Sequence, residues 1–191
     1  MKITFWGAAG QVSGSMHLLE SEGYKILIDC GLDYEKGKAL IENENFPFLP
    51  KEIDLVILTH AHVDHSGNLP TLIRLGYEGQ ILCTPPTAEL SQLLLSDAVS
   101  LMQQKPRPSK RRRFNKEKTV TANALYLQKH VLDVADKTVS IGFNKPFQIN
   151  PSIVLEFFPT GHLLGAAAVH LSITEQGTTK TVAFTGDIGR K

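Results

Sequence analysis

Within LTHAHVDHSGN, residues 58–68, three of the chain's seven histidines and an aspartate fall in six consecutive positions, His60 to His65. Imidazole and carboxylate together are donors that suit Zn²⁺, and Mn²⁺ or Fe²⁺ accept the same set. In extended backbone, side chains two apart point the same way, so His60 and His62 can grip one ion. Asp64 and His65 come where the chain would turn into the next helix. They project from a different place and suit a second ion nearby. The spacing is not that of the helical H-E-x-x-H zinc pattern, whose histidines lie four apart on one helical face. The competing reading is a solvent-facing loop that merely contains histidines, but loops rarely gather four ligand-type side chains at a strand end.

Two later segments offer matching donors. FFPTGHLLGAA (157–167) places His162 after an apolar run, and VAFTGDIGR (182–190) places Asp187 after another, both beside glycines. Taken alone, His162 reads as a structural histidine and Asp187 as a turn residue. Taken with the cluster, each reads as a strand tip delivering a ligand to a shared rim. Asp29, in ILIDCG (26–31), ends a third apolar run. It could hydrogen-bond a ligand histidine from behind, with a turn-forming aspartate as the alternative. His17, His130 and His170 lie inside strand or helix patterns and read as structural.

Such residues need strands that end at one edge. ITFWG, MHLLE and YKILIDCG read as strands, the last two joined at Glu22-Gly23 in a hairpin. DLVILT (54–59) is a continuous apolar run, as expected of a strand buried on both faces. Residues 68–77 have the spacing of a short helix, and GQILCT (79–84) that of a strand. A long helix is expected from Thr87 to Gln104, capped by Thr87 or a neighbour. Residues 119–135 have helical spacing. TVSIG, PFQIN, IVLEFFP, AAVHLSIT and KTVAFTG then read as strands. Strands at both ends with helices between them predict a layered α/β fold. Several strand-to-strand links are too short for a helix, which makes the sheets partly antiparallel and argues against a doubly wound fold. GAAGQVSGS (7–15) fails the G-x-G-x-x-G pattern. It reads equally as a tight turn or as a loop lining the site.

The 191 residues suffice for one domain or part of one, and 42% hydrophobic with 20% charged content fits a folded soluble protein. No apolar stretch approaches the roughly 20 residues that span a bilayer, and MKITFWGAAG lacks the features of a secretory signal. No membrane partner is expected. Two cysteines, Cys30 and Cys83, make no disulfide framework; both read as small buried hydrophobes in a cytoplasmic protein. The net charge is +1, yet residues 105–118 hold eight basic residues and one acidic, a net of +7, so the rest carries −6. The basic segment could contact RNA phosphates or be a solvated loop; its prolines and scarce aromatics offer no stacking platform.

The H-x-H-x-D-H run with an early aspartate, a later histidine and a last aspartate resembles the metallo-β-lactamase superfamily. GAAGQVSGSMHLLE, LIDCGL, LTHAHVDHSGNLPTL, GHLLGAAAVHL and FTGDIGR are similar to its β-CASP branch of RNA-processing nucleases. This resemblance implies an αββα sandwich of mixed sheets with metals at the sheet edges. It implies two divalent ions, zinc foremost: His60, His62 and His162 on the first, Asp64 and His65 on the second, and Asp187 bridging. Asp64 is also assigned a catalytic part. The implied activity is hydrolysis of RNA phosphodiester bonds by a hydroxide held between ions about 3.5–4 Å apart, leaving a 5′-phosphate and a 3′-hydroxyl. The family departs from this chain after FTGDIGR, where a β-CASP insertion and a returning C-terminal part with one more ligand histidine are expected. Residues 1–191 therefore read as the N-terminal part of a metallo-β-lactamase-like domain, incomplete at its C-terminal side. The rivals are a hydrolase of small esters, thioesters or lactams on the same site, and an inactive truncated binding or scaffold domain.

Overall fold

A computed structural model describes residues 1–35, 40–103 and 124–189. The basic segment, and with it any RNA contact it makes, lies outside the described residues.

Among the described residues ten strands form two sheets. The first takes β1 (Lys2–Phe5), β2 (His17–Ser21), β3 (Tyr24–Ile28), β4 (Leu55–Ile57), β5 (Gln80–Cys83) and β6 (Thr138–Ser140), in that spatial order. β1 to β3 are antiparallel, and β3 to β6 run parallel. The second sheet takes β7 (Phe147–Asn150), β8 (Ile153–Pro159), β9 (Ala167–Glu175) and β10 (Thr178–Phe184), all antiparallel. The helices are α1 (Val63–Ser66), α2 (Leu69–Arg74), α3 (Pro85–Gln103) and α4 (Gln128–Lys137). The β2–β3 hairpin turns on Glu22 and Gly23 with φ of 48° and 83°. Two positive φ values make the two-residue turn whose twist matches paired strands, and glycine adopts one without cost.

Two cores set the layers. Ile26, Ile28, Leu55 and Ile57 of the first sheet meet Leu155, Phe157, Val169 and Leu171 of the second. Their sequence neighbours Leu27, Val56 and Leu58 face the other way, onto Leu69, Leu72, Leu95 and Val131 of the helices. β4 is buried throughout, as its unbroken apolar run predicted. Helices thus cover one sheet and the second sheet covers its other face. Among the described residues no helix packs on the outer face of the second sheet, where Glu156, His170 and Thr174 alternate with the buried residues.

Three expectations need adjustment. α3 starts at Pro85, so Thr87 lies in its first turn rather than capping it; proline suits that position because its missing N–H has no intrahelical partner there. α4 begins at Gln128, and residues 124–127 are not helical. There Leu125 and Tyr126, adjacent in sequence, are both buried, a pairing that a single helical face does not provide. β4 ends at Ile57, so His60 and His62 lie beyond the strand, and His62 keeps an extended backbone (φ −56°, ψ 146°) as it leads into a short helical turn. Cys30 and Cys83 are free and buried; burial raises both thiol pKa values, that of Cys83 to about 12. No helix among the described residues is long and apolar enough to cross a membrane.

Candidate metal centre

Parallel pairing of β3 with β4 brings their carboxyl ends to one edge, so Asp29 and His60 emerge side by side. The backbone then stitches the histidine turn to the segment after β3. Cys30 donates to the His65 carbonyl at 2.8 Å, Leu32 to Val63 at 2.9 Å and Ser15 to Asp64 at 2.8 Å. Gly31 lies in this seam. A Cβ there would overlap the Asp64 carbonyl and meet Ser15 N at 2.7 Å, which explains glycine at close backbone approach. From the second sheet, Ala167 N–H donates to the Thr59 carbonyl at 3.0 Å, and Gly189 to Thr160 at 3.1 Å. These bonds set the loops carrying His162 and Asp187 against the end of β4.

Four side chains converge. One ligand atom each from His60, His62, His162 and Asp187 lies within 4.8 Å of all the others. His162 Nε2 is 3.1 Å from His62 Nδ1 and 3.3 Å from Asp187 Oδ2. His60 Nε2 is 3.8 Å from the same Oδ2. The other carboxylate oxygen of Asp187, Oδ1, lies 3.4 Å from His65 Nε2. Asp187 thus stands between the three-histidine group and His65. Asp64 precedes His65 on α1, and its charge helps to raise the His65 pKa.

Asp29 holds the floor. It is buried, with φ of 60°, a left-handed conformation that a non-glycine residue keeps only when its surroundings fix it. Its Oδ1 accepts from Thr59 N–H at 2.8 Å, and its Oδ2 from Ser15 Oγ at 3.3 Å and from His65 Nδ1 at 2.7 Å. The last bond places the His65 proton on Nδ1 and turns Nε2 toward the centre. Thr59 Oγ1 lies 3.0 Å from both Asp29 oxygens and 3.0 Å from His60 Nδ1. One hydroxyl proton serves one acceptor. Donating to the carboxylate, Thr59 accepts from His60 Nδ1–H, which again leaves Nε2 as the free lone pair. The expectation that Asp29 backs a ligand histidine thus has a direct geometric counterpart at His65 and an indirect one at His60. Thr59 was not singled out from sequence, although its place directly before His60 on the strand edge was visible.

Electrostatics separate the two floor histidines. Burial, helped by the neighbouring His65, pulls the His60 pKa down to about 4 and keeps the ring neutral. Burial opposes charge on His65 too, but the hydrogen bond and charge of Asp29 outweigh it and raise that pKa. The donor set fits a divalent cation on one further observation: His60 Nε2 is buried and has no hydrogen-bond partner, a state that buried polar atoms avoid. His60, His62, His162 and Asp187 are the residues that would hold the ion, with Asp187 shared toward His65.

The centre opens into a cleft of about 340 Å³ lined by Ala8, Val12, Ser15 and His17 besides Asp29, His65 and Asp187. Ala8, Val12 and Ser15 of the small-residue loop 7–15 thus border this cleft. His17 stacks near Phe184, with ring centroids 6.0 Å apart, and its pKa is lowered by burial. His130 accepts from Leu127 N–H at 3.1 Å, and His170 packs edge-on to Phe158 on the outer face of the second sheet.

The profile of the Metallo-beta-lactamase superfamily matches residues 9–191. The chain belongs to that superfamily. Among curated relatives, Ribonuclease TTHA0252 of Thermus thermophilus is 34% identical over 196 residues, covering 100% of this chain and 38% of that protein. Transcription termination factor FttA of Methanosarcina mazei is 35% identical over 191 residues, covering 98% and 27%. FttA of Methanocaldococcus jannaschii is 31% identical over 189 residues, with 98% and 27% covered. The chain thus spans about a quarter to two-fifths of the length of these relatives. Among solved structures, the metallo-beta-lactamase-fold protein YhfI of Bacillus subtilis superposes with a TM-score of 0.54 at 19% identity, over 97% of this chain and 62% of that one. A metallo-beta-lactamase of Cronobacter sakazakii gives 0.54 at 19%, over 92% and 53%. These likenesses speak for the metallo-β-lactamase fold alone.

Proposed function

We propose that this chain supplies the N-terminal part of a metal-dependent hydrolase domain that cuts RNA phosphodiester bonds. The observation that carries the reading is the convergence of His60, His62, His162 and Asp187, with the buried His60 Nε2 unpartnered and Asp187 also lining the adjoining cleft. The names of the relatives, a ribonuclease and transcription termination factors, favour RNA over small esters or lactams. So does the β-CASP resemblance of the loops around the site.

In this reading the first ion belongs to His60, His62 and His162, a second to Asp64 and His65, and Asp187 serves both. Divalent ions held there, zinc foremost, would make water nucleophilic at neutral pH and stabilise charge growing on the phosphoryl oxygens. The residues of the chain do the rest. Asp29 and Thr59 keep the Nδ1 protons of His65 and His60 away from the centre. The walls of the cleft orient the substrate, and the small residues of loop 7–15 let a sugar–phosphate backbone come close. Residues 1–191 stand as the N-terminal share of the domain, on the strength of the coverage of their relatives.

The test is metal analysis beside cleavage of 5′-labelled RNA by the full-length protein. His62→Ala should lower the bound metal and abolish cleavage. Undiminished metal content in that variant, or cleavage resistant to chelators, would sink the reading.

A further inference from the structure

Loop 7–16 separates two clefts. Ala8, Val12 and Ser15 face the metal centre, whereas Gly7, Gln11 and Gly14 face a second cleft of about 310 Å³. That volume is at the lower end of the range of small-ligand sites, about 300–1,000 Å³. We propose that the second cleft binds a single nucleobase of the RNA whose backbone passes the metal centre; the source of the base rests on the RNA reading above.

Three features carry the proposal. The first is aromatic surface. Trp6, the chain's only tryptophan, lines the cleft with Phe46 and is 45% exposed. An indole left half in water beside a concavity is a stacking surface, and every base has a face to stack on it. The second is an unspent acceptor. Asn68 also lines the cleft and is 3% exposed. Its Nδ2 donates to the Asn43 carbonyl at 2.9 Å, which fixes the amide, and its Oδ1 is buried without a partner. An N–H on the edge of a base would satisfy it. Asp33 and Asn43, also on the lining, already bond each other's segments and loop 7–15. The third is charge. Among the described residues the lining includes Asp33 and Glu42 and no lysine or arginine, which suits the uncharged base of a nucleotide better than its phosphate.

The single tryptophan provides the test. The 191-residue chain, held metal-free with chelator, is titrated with adenosine, guanosine, cytidine and uridine, and then with a four-nucleotide RNA, while Trp6 emission is followed. We expect saturable quenching by at least one nucleoside, insensitive to salt, and about tenfold tighter quenching by the RNA. Phe46→Leu keeps the apolar volume but removes the ring, and Asn68→Ala removes the acceptor; each should weaken nucleoside binding about tenfold in a chain whose circular dichroism is unchanged. Should either variant unfold, the nucleoside titration of the unaltered chain still decides. No quenching at millimolar nucleoside, or equal affinity in both folded variants, overturns the proposal. A dilution-dependent red shift of Trp6 emission in the free chain overturns it too, because a second copy then fills the cleft. Cleavage is not involved in these titrations. Quenching without RNA cleavage would sink only the hydrolase reading, and cleavage without quenching only the base subsite.

Discussion

The floor and the rim of the metal centre are built differently. His60 and His65 are buried, and each has its inner nitrogen held, one by Thr59 and one by Asp29. At the rim, the side chains of His162 and Asp187 are 24% and 43% exposed, and the close partners of His162, His62 and Asp187 are other residues of the cluster itself. The floor is therefore positioned before any cation arrives, by a buried carboxylate whose acceptor sites are filled. The rim has its geometry defined mainly by what it would share. Fixed donors held deep and adaptable ones near the mouth would give a cation a preorganised half-site and an entry path.

The strongest way to break this contrast is Asp29→Asn. The amide keeps the volume, but an NH₂ group now faces either the Thr59 or the His65 donor, and His65 is pushed toward the tautomer with its proton on Nε2. Denaturant unfolding should show a loss of about 2–4 kcal/mol, since buried donors lose a charged acceptor. Competition with a chromophoric chelator should show metal affinity down by about 100-fold, at the upper end of what outer partners contribute. If only affinity falls, the floor is less dependent on Asp29 than its hydrogen bonds indicate.

His62→Ala tests the rim. Removing a donor should cost at least about 100-fold in metal affinity, more than an outer partner does. The metal-free protein should lose no more than about 1 kcal/mol, the worth of the hydrogen bond between His62 and His162. A large loss of metal-free stability would show that the rim is part of the fold.

The pH dependence sharpens the contrast without mutation. His60 has its folded pKa near 4, below the ordinary 6.5. The unfolded chain takes up that proton first, so the contribution of His60 to stability is full above pH 6.5 and drains away as pH falls toward 4. His65 works in the opposite sense: its raised pKa adds stability as pH falls into the range above 6.5 and so offsets part of the upper end. Melting of metal-free protein should therefore show a loss of roughly 1–2 kcal/mol between pH 7 and 5. His60→Gln should reduce this slope.

How much of this was legible in the sequence follows from distance along the chain. Candidate donors that end apolar runs could be seen one by one, because a strand announces both its interior and its end. The buried run ahead of His60, the hairpin at Glu22-Gly23 and the ordered tips at Asp29, His162 and Asp187 all depend on local pattern. Thr59 could not be singled out, because its role exists only once β3 lies parallel to β4 and Asp29 turns back beneath it. The start of α4 was missed for a related reason. Leu125 and Tyr126 are apolar for the sake of the core they plug, not of a helix they belong to. The second cleft was invisible, since Trp6, Phe46 and Asn68 meet only through the fold.

Thr59→Val carries the smallest effect on metal affinity and separates two roles of the floor. Valine matches threonine in shape and removes only the hydroxyl, while the Thr59 backbone N–H bond to Asp29 at 2.8 Å survives. The carboxylate keeps His65 and Ser15 as partners, so the fold should lose about 1–3 kcal/mol, the cost of two lost hydrogen bonds and a buried His60 Nδ1–H left without an acceptor. His60 loses the acceptor for its Nδ1 proton, and the ring is free to present either nitrogen. Metal affinity should then drop about tenfold, the lower end for a partner behind a ligand. Thr59→Ser restores the hydroxyl and should recover most of that affinity, though with a less restricted rotamer. Recovery of affinity by serine, against loss by valine, would assign Thr59 to setting the His60 tautomer; equal affinity in both variants would leave it as packing alone.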